Sequence, residues 1–383
     1  MNQAPRVPLT DNPTPVQPRS PDNAYYDLIV FSNDIITDSD GNNFQVVEKL
    51  GQGQFGQVFK VVQLPQLCSQ ADQQSQSPHV FAMKVTKSHT RYRQQAEHEE
   101  KMLTHIRDNT PDDEMQHISR IISSFVYRNH VIIIIELLSI DLFQVIQLRN
   151  YRGLPLQLIQ STLRDLLGVL LTLGRVGVIH SDIKPENILL ADGFSASVKL
   201  IDFGSARLLS QPCSFYIQSR YYRAPEVVLA IPHGFSIDIW SIACVAFELF
   251  VGMPLLPGQS EIHLLELIVD MFGQFPPEVV AASPRRHQLF NQDGTLKTEI
   301  EICRQIGQQP VSFQPYFTYR TLPEIAMAYQ YSDKLSAEAK QRERRNREMF
   351  VDLLMRMLAL NPEQRATPEE ALEHPFITSD LSE

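Results

Sequence analysis

The sequence predicts an α+β protein of two lobes, a small strand-rich one followed by a larger helical one. Three observations predict it. The chain has 383 residues, 43% of them hydrophobic, enough for a large core and for two lobes sharing a cleft. From about residue 44 to 138 the apolar residues come in short runs rich in Val, Phe and Ile, the pattern of strands. Beyond residue 140 they recur over long stretches at helical spacing.

In chain order, residues 1–24 are rich in Pro and polar residues and have no apolar signal-peptide core. They lack the bulk to bury themselves and are expected to be a disordered tail. In the stretch 25–43, TDSDGN is acidic like a calcium loop, but such a loop needs an Asp where Ile36 stands, so a turn is expected. FQVVEKL and GQVFKVV then read as strands flanking the glycine loop GQGQFGQV at 51–58. The insert QLCSQADQQSQSPH has little to pack and reads as a loop. VFAMKV, with Lys84, is the third strand expected. RYRQQAEHEEKMLTHI carries Met102, Leu103 and Ile106 near helical spacing. RIISSFVY and HVIIIIELL read as strands. The run VIIIIELL is too short to cross a bilayer and contains Glu136.

From 139 to 376 the larger lobe is expected. LIQSTLRDLLGVLLTLG is a long helix, and NILL and VKLID are short strands. SIDIWSIACVAFELFVG is apolar on nearly every face, which marks a helix buried mid-lobe, with Ser236 as its candidate N-cap. The remainder is mostly helical, and the charged run AEAKQRERRNRE is expected to face water. Residues 377–383 are a short tail.

The net charge of −10 argues against broad nucleic-acid or anionic-membrane binding. The four cysteines, Cys68, Cys213, Cys244 and Cys303, form no CxxC pair. No disulfide framework or cysteine zinc site is suggested, and a reduced intracellular compartment, cytoplasm or nucleus, is the default.

The GxGxxG spacing of Gly51, Gly53 and Gly56 serves two unrelated folds. A dinucleotide fold needs the third glycine to open a helix, with an acidic residue about 20 positions on at a strand end. Here a strand pattern comes after Gly56, and the nearest acidic candidate, Asp72, lies in the Gln/Ser insert. The loop therefore joins two strands, and taken alone it is accounted for equally well by a plain hairpin. The motifs downstream decide between the two. Lys84 lies in VFAMKV, Asp182, Lys184 and Asn187 in HSDIKPEN, Asp202 opens DFG, and Ala224, Pro225 and Glu226 form APE. Five motifs in this order match the kinase template. Chance agreement is negligible, and the sequence resembles a eukaryotic protein kinase over roughly residues 44–376, with its bilobal fold.

That resemblance implies a use for each residue. Leu50, Gly51, Gly53, Gly56 and Val58 cover the nucleotide, and Lys84 holds its α and β phosphates. Glu97, Glu99 and Glu100 are all candidates to hold Lys84, and the family pattern in EEKML selects Glu99. Ala82 and Leu189 enclose the adenine, Ile135 is the gatekeeper, and Glu136 to Leu138 form the hinge. Asp202 and Asn187 supply hard oxygens for Mg²⁺. Asp182 accepts the substrate's hydroxyl proton. Lys184 neutralises the transferring phosphoryl group, and its DxKPxN setting implies a Ser/Thr enzyme. Asp238 braces the catalytic loop, and Glu226 with Arg365 form a buried ion pair.

YIQSRYYRAPE further resembles the dual-specificity tyrosine-regulated kinases, the DYRK family, which autophosphorylate at the position of Tyr216. The motif HSD puts Ser181 where many kinases have a phosphate-binding Arg and this family usually has Cys. Arg220 and Arg223 can partner a phosphate on Tyr216 instead. Ser214 replaces the first tyrosine of the usual pair. The stretch 25–58 and the hinge run most resemble the Yak-type branch, which makes 25–43 an N-terminal box and 255–350 an insert of the wider group. Protein substrates with Pro after the target residue, ATP with Mg²⁺, and a monomer are implied. The competing reading is a catalytically weak pseudokinase or ATP-binding scaffold, whose signature would be loss of Lys84, Asp182, Asn187 or Asp202. All four are present.

Overall fold

A computed structural model describes residues 6–65, 79–307, 316–330 and 336–382. The chain divides into two units: Met1–Ser139 with Asp202–Gly204, and Ile140–Ile201 with Ser205–Glu383. The first is strand-rich and the second helical, the class the sequence predicts. Most of the polar insert, with Cys68 and Asp72, lies outside the described residues.

The first unit is an antiparallel sheet of β1 (Ile35–Thr37), β2 (Asn43–Gln52), β3 (Gly56–Leu64), β4 (Val80–Thr86), β5 (Ile121–Tyr127) and β6 (His130–Glu136), in the order β1-β2-β3-β4-β6-β5. Lys84 is on the fourth strand rather than the third because the short β1 precedes. Period-two alternation sorts the side chains. Phe59, Met83 and Ile134 pair across three strands, Val85 and Ile132 across two, and all five are buried in the core with Phe44, Val46 and Val61. The alternate residues Val58, Lys84 and Ile133 form the neighbouring cross-strand row, with Ala82 opposite Ile135. The residues expected to meet the nucleotide therefore share the face opposite this core.

Residues 6–24 are a correction. Leu28 and Val30 enter the sheet's core and Leu9 packs against it. The segment before them is tied in by backbone and side-chain bonds: Leu9 N donates to Val30 O, and the buried Thr10 donates Oγ1 to Leu28 O and accepts from Val30 N. Composition suggested disorder because the stretch has few apolar groups. It is ordered because the sheet supplies the apolar surface and the segment satisfies its own backbone. TDSDGN closes on itself as a turn, with Asp38 Oδ1 accepting from Asp40 N and Asn42 N.

Helix α1 (Thr90–Asn109) buries Ala96, Glu99, Met102, Leu103 and Ile106, a stripe at three- and four-residue spacing. It packs on β4, β5 and β6.

In the second unit, α2 (Leu142–Leu148) opens with a capping box between Asp141 and Gln144. Helix α3 (Leu156–Arg175) follows. Two small antiparallel pairs come next: β7 (Val178–Ile179) pairs with β10 (Arg207–Leu208), and β8 (Ile188–Leu190) pairs with β9 (Val198–Leu200). After the short α4 (Pro225–Val228), α5 (Ser236–Val251) is buried from Ile237 to its end. Its N-cap is Phe235, with no side-chain cap bond, so the expectation for Ser236 fails. Ser236 is the first helical residue, and its carbonyl accepts from Arg365. Helix α6 (Glu261–Phe272) and further short helices come after it. In the helix Ala337–Met357 the charged run does not wholly face water. Asn346 and Arg347 are buried, and Arg347 donates to the carbonyls of Ala326 and Tyr329. Among the described residues, no helix is long and apolar enough to cross a membrane.

Candidate active site

The glycine loop joins β2 to β3, closed by Gly53 N donating to Gly56 O at 2.9 Å. Its glycines are not equivalent. A Cβ on Gly56 would stand 2.1 Å from Val85 O, so glycine there is demanded by the protein's own packing. No protein atom lies within 4 Å of a Cβ built on Gly51 or Gly53. No contact among the described residues requires glycine at either position. Leu50 is exposed and Val58 half-buried on the same loop.

Within the strand-rich unit, Lys84 Nζ lies 2.6 Å from Glu99 Oε2, 2.8 Å from Oε1 and 3.3 Å from Asp202 Oδ1. Of the three candidate glutamates on α1, Glu99, the one the family pattern selects, lies on the buried stripe, and Glu97 pairs with Arg93 instead. Burial alone would lower the Lys84 ammonium's pKa, but Asp202 and Glu99 outweigh it and hold the value above that of an ordinary lysine. The result is a fixed cation at the end of β4. Asp202 adopts φ +61, which Asp tolerates better than most residues, and Phe203 beside it is fully buried. Ala82 is buried, and Ile135, Glu136 and Leu138 are half-buried at the end of β6 and beyond it.

The second unit carries the other group. Asp238 is buried at the start of α5. It accepts from His180 N at 2.7 Å and from Ser181 N at 3.0 Å, which fixes the loop between β7 and β8. Burial raises the pKa of the Asp238 carboxyl. Ser181 sits at φ +66, its Oγ buried and without a hydrogen-bond partner among the described residues. The next residue, Asp182, has both oxygens occupied. Oδ1 accepts from Ser219 N at 2.9 Å and Ser219 Oγ at 2.8 Å, and Oδ2 from Lys184 Nζ at 2.7 Å. Asn187 donates Nδ2 to Asp182 O at 2.8 Å, so its nitrogen is the engaged atom. Lys184 also donates to Ser219 Oγ at 3.1 Å. Leu189 is half-buried on β8. Ser219 was missed in the sequence. The only signal was its place in QSRYY, three residues after Tyr216. Asn187 and Asp202 belong to different units.

Tyr216 is 82% exposed, and the Arg223 guanidinium lies 5.2 Å from its ring centre. Arg223 also donates to Ile217 O, Gln218 O and Glu261. Arg220 instead donates to Gln259 O, so of the two arginines only Arg223 is brought to the tyrosine. Glu226 and Arg365 form a fully buried bidentate pair at 2.6 and 3.0 Å.

Residues 44–377 match the family described as protein kinase domain. The chain belongs to the protein kinase family. It is 37% identical over 98% of its length to the probable serine/threonine-protein kinase yakA of Dictyostelium discoideum, covering 26% of that protein. It is 36% identical over 93% of its length to the dual specificity protein kinase YAK1 of Saccharomyces cerevisiae, covering 44%. It is 35% identical over 98% of its length to the serine/threonine-protein kinase ppk15 of Schizosaccharomyces pombe, covering 70%. The chain thus spans from about a quarter to 70% of these relatives. The Yak-type resemblance read in the sequence is the one these similarities support. Within the strand-rich unit, a held lysine, the Asp202 carboxylate and a loop open at Gly51 and Gly53 are groups of the kind a nucleotide's phosphates and a divalent cation need.

Proposed function

We propose that this kinase transfers the γ-phosphate of ATP to serine and threonine hydroxyls of proteins and phosphorylates its own Tyr216. The observation that carries the reading is the Asp182 carboxylate, locked by Ser219 and Lys184. A carboxylate so fixed can orient a hydroxyl and take its proton with little reorganisation. Lys184, 2.7 Å from Asp182, is suited to balance the phosphoryl group's charge as it moves. Lys84, held by Glu99, is suited to the non-transferring phosphates. Asp202 and Asn187 would hold Mg²⁺, which supplies charge neutralisation on the phosphate oxygens when bound.

Tyr216 is exposed and beside Arg223, so a phosphate there would meet a guanidinium already in position. Protein substrates, with Pro after the target residue, and a monomeric state belong to the same proposal. The scaffold reading is disfavoured by the intact Lys84–Glu99 pair and by an Asp182 held in a single arrangement.

The test is phosphopeptide mass spectrometry on protein expressed in bacteria, wild type beside Asp182→Ala. Phosphate at Tyr216 in the wild type alone supports the reading. If Tyr216 is unmodified and the wild type turns over no ATP with a generic Ser/Thr substrate, the scaffold stands instead.

A further inference from the structure

His130 opens β6 and its side chain is fully buried. Nδ1 lies 2.6 Å from Thr86 O, and Nε2 lies 2.8 Å from Asp22 Oδ1. A backbone carbonyl only accepts, so Nδ1 carries a proton. A carboxylate also only accepts, so a second proton must lie on Nε2 or on the Asp22 carboxyl. Without it, two acceptors would face each other in a buried place. The contact holds one proton it cannot do without.

The other end of Asp22 reaches the helix that bears Glu99. Asp22 Oδ2 accepts from Ser88 Oγ at 2.6 Å, and Ser88 N donates to Tyr26 O at 3.0 Å. Ser88 and His89 form the connection from β4 to α1. His89 is the N-cap of α1, its ring accepting from Arg91 N and packing edge-on against Tyr26 at 5.2 Å. One stretch of the N-terminal segment, Asp22 to Tyr26, thus grips both residues that launch α1, and nine residues after its start α1 places Glu99 on Lys84.

We propose that Asp22 is a positioning residue for phosphoryl transfer: through a latch onto His130 and Ser88 it sets where α1 begins, and so whether Glu99 reaches Lys84. The latch stands on its own geometry, while its consequence for transfer rests on the kinase reading above.

The experiment is hydrogen–deuterium exchange on the whole chain, for wild type, Asp22→Ala, Asp22→Asn and Ser88→Ala. It is corrected for intrinsic exchange. In Asp22→Ala the amides of α1 up to Glu99 should exchange at least about tenfold faster, with α5 unchanged. Ser88→Ala should move them the same way by a smaller factor. Asp22→Asn can donate its amide to Nε2 and still accept from Ser88, so α1 should stay protected. If Asp22→Ala unprotects α5 as well, Ser88→Ala decides by the same criterion, since it removes one hydroxyl. Unchanged α1 exchange in both Asp22→Ala and Ser88→Ala overturns the proposal, as does a loss of protection in Asp22→Asn equal to that in Asp22→Ala. A parallel peptide assay should show kcat falling in Asp22→Ala with peptide KM unchanged. A wild type that transfers no phosphate would sink the kinase reading and leave the exchange result standing.

Discussion

Replacing Glu226 by Gln should be among the most destabilising isosteric changes in the helical unit. The pair with Arg365 is fully buried on both sides, with contacts of 2.6 and 3.0 Å. Glutamine keeps the volume, so no cavity forms, but it removes the negative charge and turns one acceptor into a donor facing a guanidinium. Breaking one side of such a pair costs about 3–5 kcal/mol. Arg365 keeps its bonds to Ser236 O and Ala359 O, which argues for the lower end, about 3 kcal/mol. The chain carries its own reporter. Trp240 is the single tryptophan, is fully buried, and lies under the Arg365 guanidinium at 5.1 Å. Urea unfolding followed by its fluorescence should move to a midpoint about 1 M lower, taking a slope of about 3 kcal/mol per molar. Arg365→Met combined with Glu226→Gln should cost about 2 kcal/mol less than the two singles added together. A loss below about 1 kcal/mol in Glu226→Gln, with additive singles, would refute the reasoning that a stranded buried charge dominates here.

Glu248 offers a test by pH. Burial first, then the nearby Glu186, push its carboxyl up to about 7 against an ordinary 4.5, while the bond from Tyr222 opposes them. The folded state binds that proton more tightly, so its contribution of about 3 kcal/mol is whole below about pH 4.5 and lost as pH rises through about 7. Glu248→Gln, which can still accept from Tyr222, should flatten that decline when the Trp240 midpoint is followed from acid to alkaline pH. An undiminished decline would locate the proton elsewhere. Glu99→Gln removes the anion that orients Lys84 and should lower kcat/KM by about a hundredfold in a peptide assay. A variant as active as wild type would remove Glu99 from the machinery. Tyr216→Phe should lower peptide phosphorylation, since it leaves Arg223 with no phosphate to order the segment. Full activity would end the tyrosine-activation argument.

Much of this protein was readable residue by residue. The five ordered motifs depend on local chemistry that short strings carry, and each reports its own role without knowledge of distant contacts. Other features needed the folded chain. Three glutamates on one charged helix are alike in residue type; the family pattern in EEKML selected Glu99, and the packing of α1 supplies the physical reason, burying Glu99 and leaving Glu97 to Arg93. Ser219 became part of the site because the chain returns to Asp182 across 37 positions. Residues 6–24 looked unable to order because composition counts only what a segment brings. Their order depends on the apolar face of a sheet formed later in the chain, and on Asp22 finding His130 across 108 positions. Sequence determined the chemistry wherever it lay in contiguous residues. Tertiary structure decided it wherever burial or a long-range partner changed what an ordinary side chain could do.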